Sequence, residues 1–312
     1  MRTLKRAVLV CVLGALTAGM SGCTLTTLTL TDTRATGWTL ADPTAIDSGG
    51  QYTYGTQFFV FRVPTISPNG QISEAFSAKP AWASGEYTAG PDVRKFPNGK
   101  TLLYFTATPN GSSANTNNCI GVAVAESMTR FVPQPNALLC GEVWDPNVEF
   151  LSDGTPVLLY SQHEGGRQYI RSIRLTSDGL GTQGVGTRRD LLSAGPGAAE
   201  TIENATAFWD GTGNQWVMLF SQGDWKTSEY RTVMAYCLGP NLDATCNIQG
   251  PRGSFPFNPK GFGIYGSGGM DVFRRADGQL QAVWHFWGSN DPWTRGDRKT
   301  AQSGISVTYP TN

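Results

Sequence analysis

Trp144-Asp145-Pro146-Asn147-Val148-Glu149-Phe150-Leu151-Ser152-Asp153-Gly154, followed by Thr155-Pro156-Val157-Leu158-Leu159-Tyr160-Ser161, decides the fold. An acid stands at the mouth of a short apolar strand, Ser-Asp-Gly makes a turn, and a second apolar strand follows. The pattern recurs. Ala41-Asp42-Pro43 leads through Gly49-Gly50 to Tyr52-Thr53-Tyr54, and Gly90-Pro91-Asp92-Val93 through Asn98-Gly99 to Leu102-Leu103-Tyr104-Phe105. Ile202-Glu203-Asn204 leads through Asp210-Gly211 to Trp216-Val217-Met218, and Met270-Asp271-Val272 through Asp277-Gly278 to Leu280–His285.

The first four acids, Asp42, Asp92, Asp145 and Glu203, are 50, 53 and 58 residues apart. Strand-rich repeats of roughly 40–50 residues are the signature of a β-propeller. One copy cannot bury its own apolar face, so the copies must stack around an axis. Five copies predict an all-β, five-bladed propeller over residues 38–312, with the acids converging on one end of the axis.

Residues 1–22 read as a secretory signal: Arg2, Lys5 and Arg6 precede a short apolar run and Met20-Ser21-Gly22. Cys23 matches the lipidated first residue of a bacterial lipoprotein. Residues 23–37 are then expected to be the anchor and a Thr-rich tether. The predicted location is the cell surface, through the lipid anchor, or the medium. Removal of the signal leaves 21 basic and 24 acidic residues with no basic stripe, which argues against nucleic acid as a partner. A monomer is expected. Cys119, Cys140, Cys237 and Cys246 allow three connectivities. Cys119–Cys140 and Cys237–Cys246 are favoured, because each pair brackets the same part of a repeat.

These residues resemble the five-bladed propeller glycosidases, above all glycoside hydrolase family 43, which includes arabinofuranosidases, arabinanases and β-xylosidases. Ala41-Asp42-Pro43, Gly90-Pro91-Asp92-Val93, Asp145-Pro146 with Asp153-Gly154, and Glu203-Asn204-Ala205 match that family's blade starts in order. The Pro that the family carries after the Glu is missing. The resemblance implies Asp42 as the base that activates water, Glu203 as the acid, and Asp145 as the carboxylate that orients the acid and raises its pKa. It implies Asp92 near the axis, shaping the sugar pocket. An inverting reaction needs one protonated and one ionised carboxyl group with room for water between them. The rival readings are a retaining furanosidase with Asp42 as nucleophile, and a carbohydrate-binding propeller without catalysis.

Trp144, Trp225, Trp287 and Tyr54 are candidate sugar platforms. His285 matches the family's second strand of blade five and is a further candidate at the pocket. No cofactor is expected to be required. The family's axial calcium is only weakly implied, because Gly266-Ser267-Gly268-Gly269-Met270-Asp271 lacks the His that the family often places there. An oligo- or polysaccharide is the expected partner.

Overall fold

A computed structural model describes residues 27–57, 60–113, 116–194, 201–248, 264–289 and 298–309. The signal reading and Cys23 lie outside the described residues. Blade one contains β2 (Ala41–Asp47), β3 (Gln51–Thr56), β4 (Pro64–Ile66) and β5 (Ile72–Glu74). Blade two contains β6 (Ala83–Lys95), β7 (Thr101–Pro109) and β8 (Cys119–Ser127), and both β9 (Arg130–Pro133) and β10 (Leu139–Cys140) pair with β8. Blade three contains β11 (Val143–Phe150), β12 (Pro156–Glu164), β13 (Arg167–Arg174) and β14 (Arg189–Ser193). Blade four contains β15 (Ile202–Asp210), β16 (Gln215–Gln222), β17 (Arg231–Leu238) and β18 (Cys246–Ile248). Blade five contains β19 (Tyr265–Arg274), β20 (Leu280–Trp287) and β21 (Arg298–Thr308).

The outer strand of blade five comes from the other end of the chain. β1 (Thr27–Ala35) pairs antiparallel with β21, from Thr27 opposite Thr308 to Ala35 opposite Ala301. This corrects the tether expected over residues 23–37. Leu28 and Leu30 alternate with Thr, Leu28 is buried in the core between blades four and five, and Leu30 packs against that core. A period of two on a half-buried edge makes a strand, whatever the composition.

Each neighbouring pair of blades shares its own apolar cluster. Tyr54, Val93 and Phe105 join blades one and two, Phe96, Val148 and Tyr160 join two and three, and Leu159, Trp216 and Phe220 join three and four. Phe208, Leu219 and Trp284 join four and five. Among the described residues, the apolar cluster at the seam between blades five and one is just Ala45, Phe273 and Val283. Hydrogen bonds hold it instead: the Thr300 hydroxyl bridges the Leu40 backbone, and Gln302 Nε2 donates to Gln51 Oε1 at 2.7 Å. Both disulfides pair as favoured from the sequence, Cys119–Cys140 and Cys237–Cys246, each between directly opposed residues of adjacent strands.

Candidate active site

The five innermost strands share one irregularity. In each, the pairing slips by one residue near the strand start: between Ala41 and Thr44, Ala89 and Asp92, Trp144 and Asn147, Glu203 and Thr206, and Gly268 and Asp271. Such a bulge inserts one extra residue and re-aims its side chain. The residue at each slip is left-handed: Asp42 at φ 41°, Gly90 at 51°, Asp145 at 54°, Asn204 at 57° and Gly269 at 54°. Only Asp, Asn and Gly occupy the position, the types that tolerate that region best. Pro43, Pro91 and Pro146 follow three of them, at bulges where the ladder requires no donor.

One hydrogen bond per blade holds this geometry, and each bond crosses to the preceding blade. The Gly90 N–H donates to Thr56 Oγ1 at 2.8 Å, Asp145 N–H to Thr106 Oγ1 at 3.0 Å, and Asn204 N–H to Ser161 Oγ at 3.2 Å. The Gly269 N–H donates to Ser221 Oγ at 2.9 Å, and the Asp42 N–H closes the circle on His285 Nδ1 at 3.0 Å. Four blades use a hydroxyl and the fifth an imidazole. His285 is fully buried, and burial pushes its pKa well below the usual imidazole value, so it stays neutral. With Nδ1 accepting, the ring proton belongs on Nε2.

The repeat therefore has a register that the acid spacing does not reveal. Asp42, Gly90, Asp145, Asn204 and Gly269 are equivalent, Glu203 precedes this position by one residue, and Asp92 lies two residues beyond it. Asp92 is in a second, deeper ring with Thr44, Asn147, Thr206 and Asp271. Thr44, Asp92, Thr206 and Asp271 each accept a backbone N–H from the next blade, at 2.9–3.4 Å. Arg94 threads this ring, with Nη1 at 2.8 Å from Asp92, Nη2 at 2.8 Å from Asp271 and 3.6 Å from Glu149. Asp92 thus braces the axis beneath the pocket and is not on its wall. Burial raises its carboxyl to about 7 against the pull of Arg94, and burial likewise raises Glu149 to about 8.

Above this floor is a pit of about 540 Å³, lined by Asp42, Asp145, Glu203, Trp144, Trp225 and Asn204, with Tyr87, Tyr230 and Arg298 among its other walls. The three acids from blades one, three and four meet there. The missing side chain of Gly90 makes room: a Cβ would fall 2.5 Å from Asp145 Oδ1. Trp144 Nε1 donates to Glu203 Oε2 at 3.3 Å, and Tyr230 O–H donates to Glu203 Oε1 at 2.9 Å. Asn204 Nδ2 donates to Asp42 Oδ1 at 3.0 Å. His285 is behind Asp42, stacked parallel to the Tyr230 ring at 5.8 Å, and does not line the pit. Tyr54 is a core residue bonded to the Met128 carbonyl, not a platform.

Burial raises Glu203 to about 7; Tyr230 opposes the rise and the Asp42 charge adds to it. Asp145 is pushed well above the usual carboxylate range, first by burial, then by Glu203 and Asp42. Burial, not the charge of Asp145, thus leads the rise at Glu203, and Asp145 itself is driven toward its neutral form. A folded carboxyl that keeps its proton from about pH 4.5 to 7 binds more protons than the unfolded chain, so it destabilises the fold as pH rises through that window. Replacing Glu203 with Gln is expected to leave stability nearly unchanged at pH 5 and to raise it by roughly 1–3 kcal/mol at pH 8. Thermal melts of both proteins across this range check it.

The axis does not suit a calcium ion, which takes six to eight oxygen ligands. Among the described residues no group of three His, Cys, Asp or Glu side chains could hold a metal. The Arg94 cation already bridges Asp92 and Asp271 there, and the proton on His285 Nε2 leaves that buried atom no lone pair.

Asn204, Tyr87, Tyr230 and Arg298 went unpredicted. Asn204 carried a signal, because it follows Glu203 at the register of Asp42 and Asp145. The other three come from outside the repeated motif.

No family sequence model and no curated protein matches the chain. Solved structures do. A thermostable family-43 glycoside hydrolase is 20% identical with TM-score 0.72, over 91% of this chain and 97% of that one. An endo-1,4-β-xylanase from Bacteroides thetaiotaomicron is 17% identical with TM-score 0.68, over 90% and 97%. An arabinanase from Bacillus subtilis is 22% identical with TM-score 0.60, over 87% and 96%. The fold is the five-bladed β-propeller of the family-43 glycoside hydrolases.

Proposed function

We propose that this chain is a distant member of family 43: an exported glycoside hydrolase that cuts arabinose- or xylose-containing glycans by general acid and base catalysis with inversion. The observation that carries the reading is the meeting of Asp42, Asp145 and Glu203 in one pit, in environments that differ. Glu203, with a pKa of about 7, keeps a proton in weakly acidic solution and gives it to the leaving oxygen. Asp42, with Oδ1 held by the Asn204 amide, takes a proton from the attacking water. Asp145, from the neighbouring blade, is driven toward its neutral form and adds little charge opposite the acid. Trp144 both steadies Glu203 and offers its ring as a wall for the sugar.

The reaction's stereochemistry is the direct test. Proton NMR of the first product from an aryl arabinofuranoside or xyloside is expected to show the inverted anomer before mutarotation. The retained anomer would make Asp42 a nucleophile, and binding without turnover on a glycan panel would leave only a lectin-like role. Export agrees with the signal-like residues 1–22 and with two disulfides, which persist in oxidising compartments. Anchoring through Cys23 belongs to the same proposal. Cys23→Ala is expected to release the protein from the membrane fraction.

A further inference from the structure

A second cavity, of about 760 Å³, opens beside the pit where blades five and one meet. Among the described residues this is the seam with the smallest apolar cluster. Trp225 and Arg298 line both cavities, so the cleft adjoins the pit across one shared wall. Its remaining walls include Trp38, Leu40, Ile66 and Ile72, with the Arg62–Glu74 ion pair at 3.0 Å as a charged rim.

The shared wall is fixed before any ligand arrives. The Trp225 carbonyl accepts from Trp287 Nε1 at 3.1 Å and from Arg298 Nη2 at 3.2 Å. The Arg298 guanidinium lies 5.2 Å from the Trp225 ring centre and 4.7 Å from that of Trp287. Glu74 accepts the N–H groups of Val63 and Phe76, so the rim is tied to the backbone. Rigid aromatic walls with a few placed polar groups suit the C–H faces and hydroxyls of sugars. Ile72, 67% exposed, leaves an apolar edge at the outer end.

We propose that this cleft binds the sugars of a glycan chain beyond those at the cleaved bond, so that the substrate is a polymer or long oligosaccharide. It would run from the pit past Trp225 toward Trp38 and Ile72. The inference rests on the glycosidase reading and narrows its substrate. Its place directly beside the pit, across Trp225 and Arg298, selects a glycan as occupant.

The test uses the Glu203→Gln protein, in which turnover is expected to be slow, and calorimetric titration with xylo- and arabino-oligosaccharides of two and five sugars. Affinity for one series is expected to rise at least about tenfold with length. Adding Trp38→Ala, or Ile72→Glu where the side chain is already exposed, is expected to abolish that gain and leave two-sugar affinity within about threefold. Equal loss for both lengths, no loss for either, or no length dependence in the parent would overturn the cleft. The glycosidase reading is tested apart from this, by wild-type hydrolysis of aryl monoglycosides, which are too short to enter the cleft.

Discussion

Glu203→Gln is expected to lower kcat by roughly 10²–10⁴-fold on a natural glycan, with the fold intact. The size of the loss should depend on the leaving group. A natural sugar alcohol leaves poorly unless it is protonated, so the acid is indispensable there. A nitrophenolate leaves without help, so the same variant should lose much less on a nitrophenyl glycoside. Asp42→Asn removes the base, which both substrates need, and is expected to lose a similar factor on each. The pH profile provides a second check. An acid with a pKa of about 7 gives wild-type kcat an alkaline limb on natural substrates, and that limb should vanish in Glu203→Gln. Equal losses on both leaving groups for Glu203→Gln would remove it from the acid's role.

The second large effect is expected at His285, which touches no substrate. Its Nδ1 accepts the N–H of Asp42 and so fixes the left-handed turn that aims that carboxylate. Loss of this acceptor leaves a buried N–H unpaired, and the turn relaxes to satisfy it. His285→Ala is expected to reduce kcat by about 10–100-fold with KM little changed, as befits a misplaced catalytic group. Ser161 and Ser221 show that a serine hydroxyl serves at the equivalent position in other blades. His285→Ser leaves nearly the same void as Ala but supplies the acceptor, and should recover most of the loss. Equal kcat values for Ser and Ala would show that packing of the imidazole, not its hydrogen bond, is what matters.

Much of this architecture was legible in the chain. The Asp-Pro and Gly-Pro starts, the Asp-Gly turns and the paired cysteines are local signals with local causes, and they marked the blades. The register of the site was harder. Asp92 looked equivalent to Asp42 because both stand near a Pro. Gly90 in fact has that place, since a left-handed residue beside the Asp145 carboxylate has no room for a side chain. Asn204 looked like a damaged motif, yet it occupies the turn and steadies Asp42. In the sequence, Thr56, Thr106, Ser161 and Ser221 are indistinguishable from ordinary strand residues. Their role is set by the neighbouring blade, about 34–48 residues later in the chain, and no single-blade pattern reports it. Thr27–Ala35 failed for another reason. Its threonines suggested a linker, while the alternating leucines carried the structural information.

The direction of β1 has a bearing on where this molecule can work. Arg298 opens β21 at the pit, and Thr27 pairs with Thr308 at the strand's far end, roughly 33 Å away at 3.3 Å per residue. Only three residues separate Thr27 from Cys23, a reach of about 14 Å at most. A lipid on Cys23 would therefore seat the propeller on its underside, like a cup standing on a table, with the mouth turned up to the surroundings. Polymers approaching from the side away from the membrane would then meet the pit first.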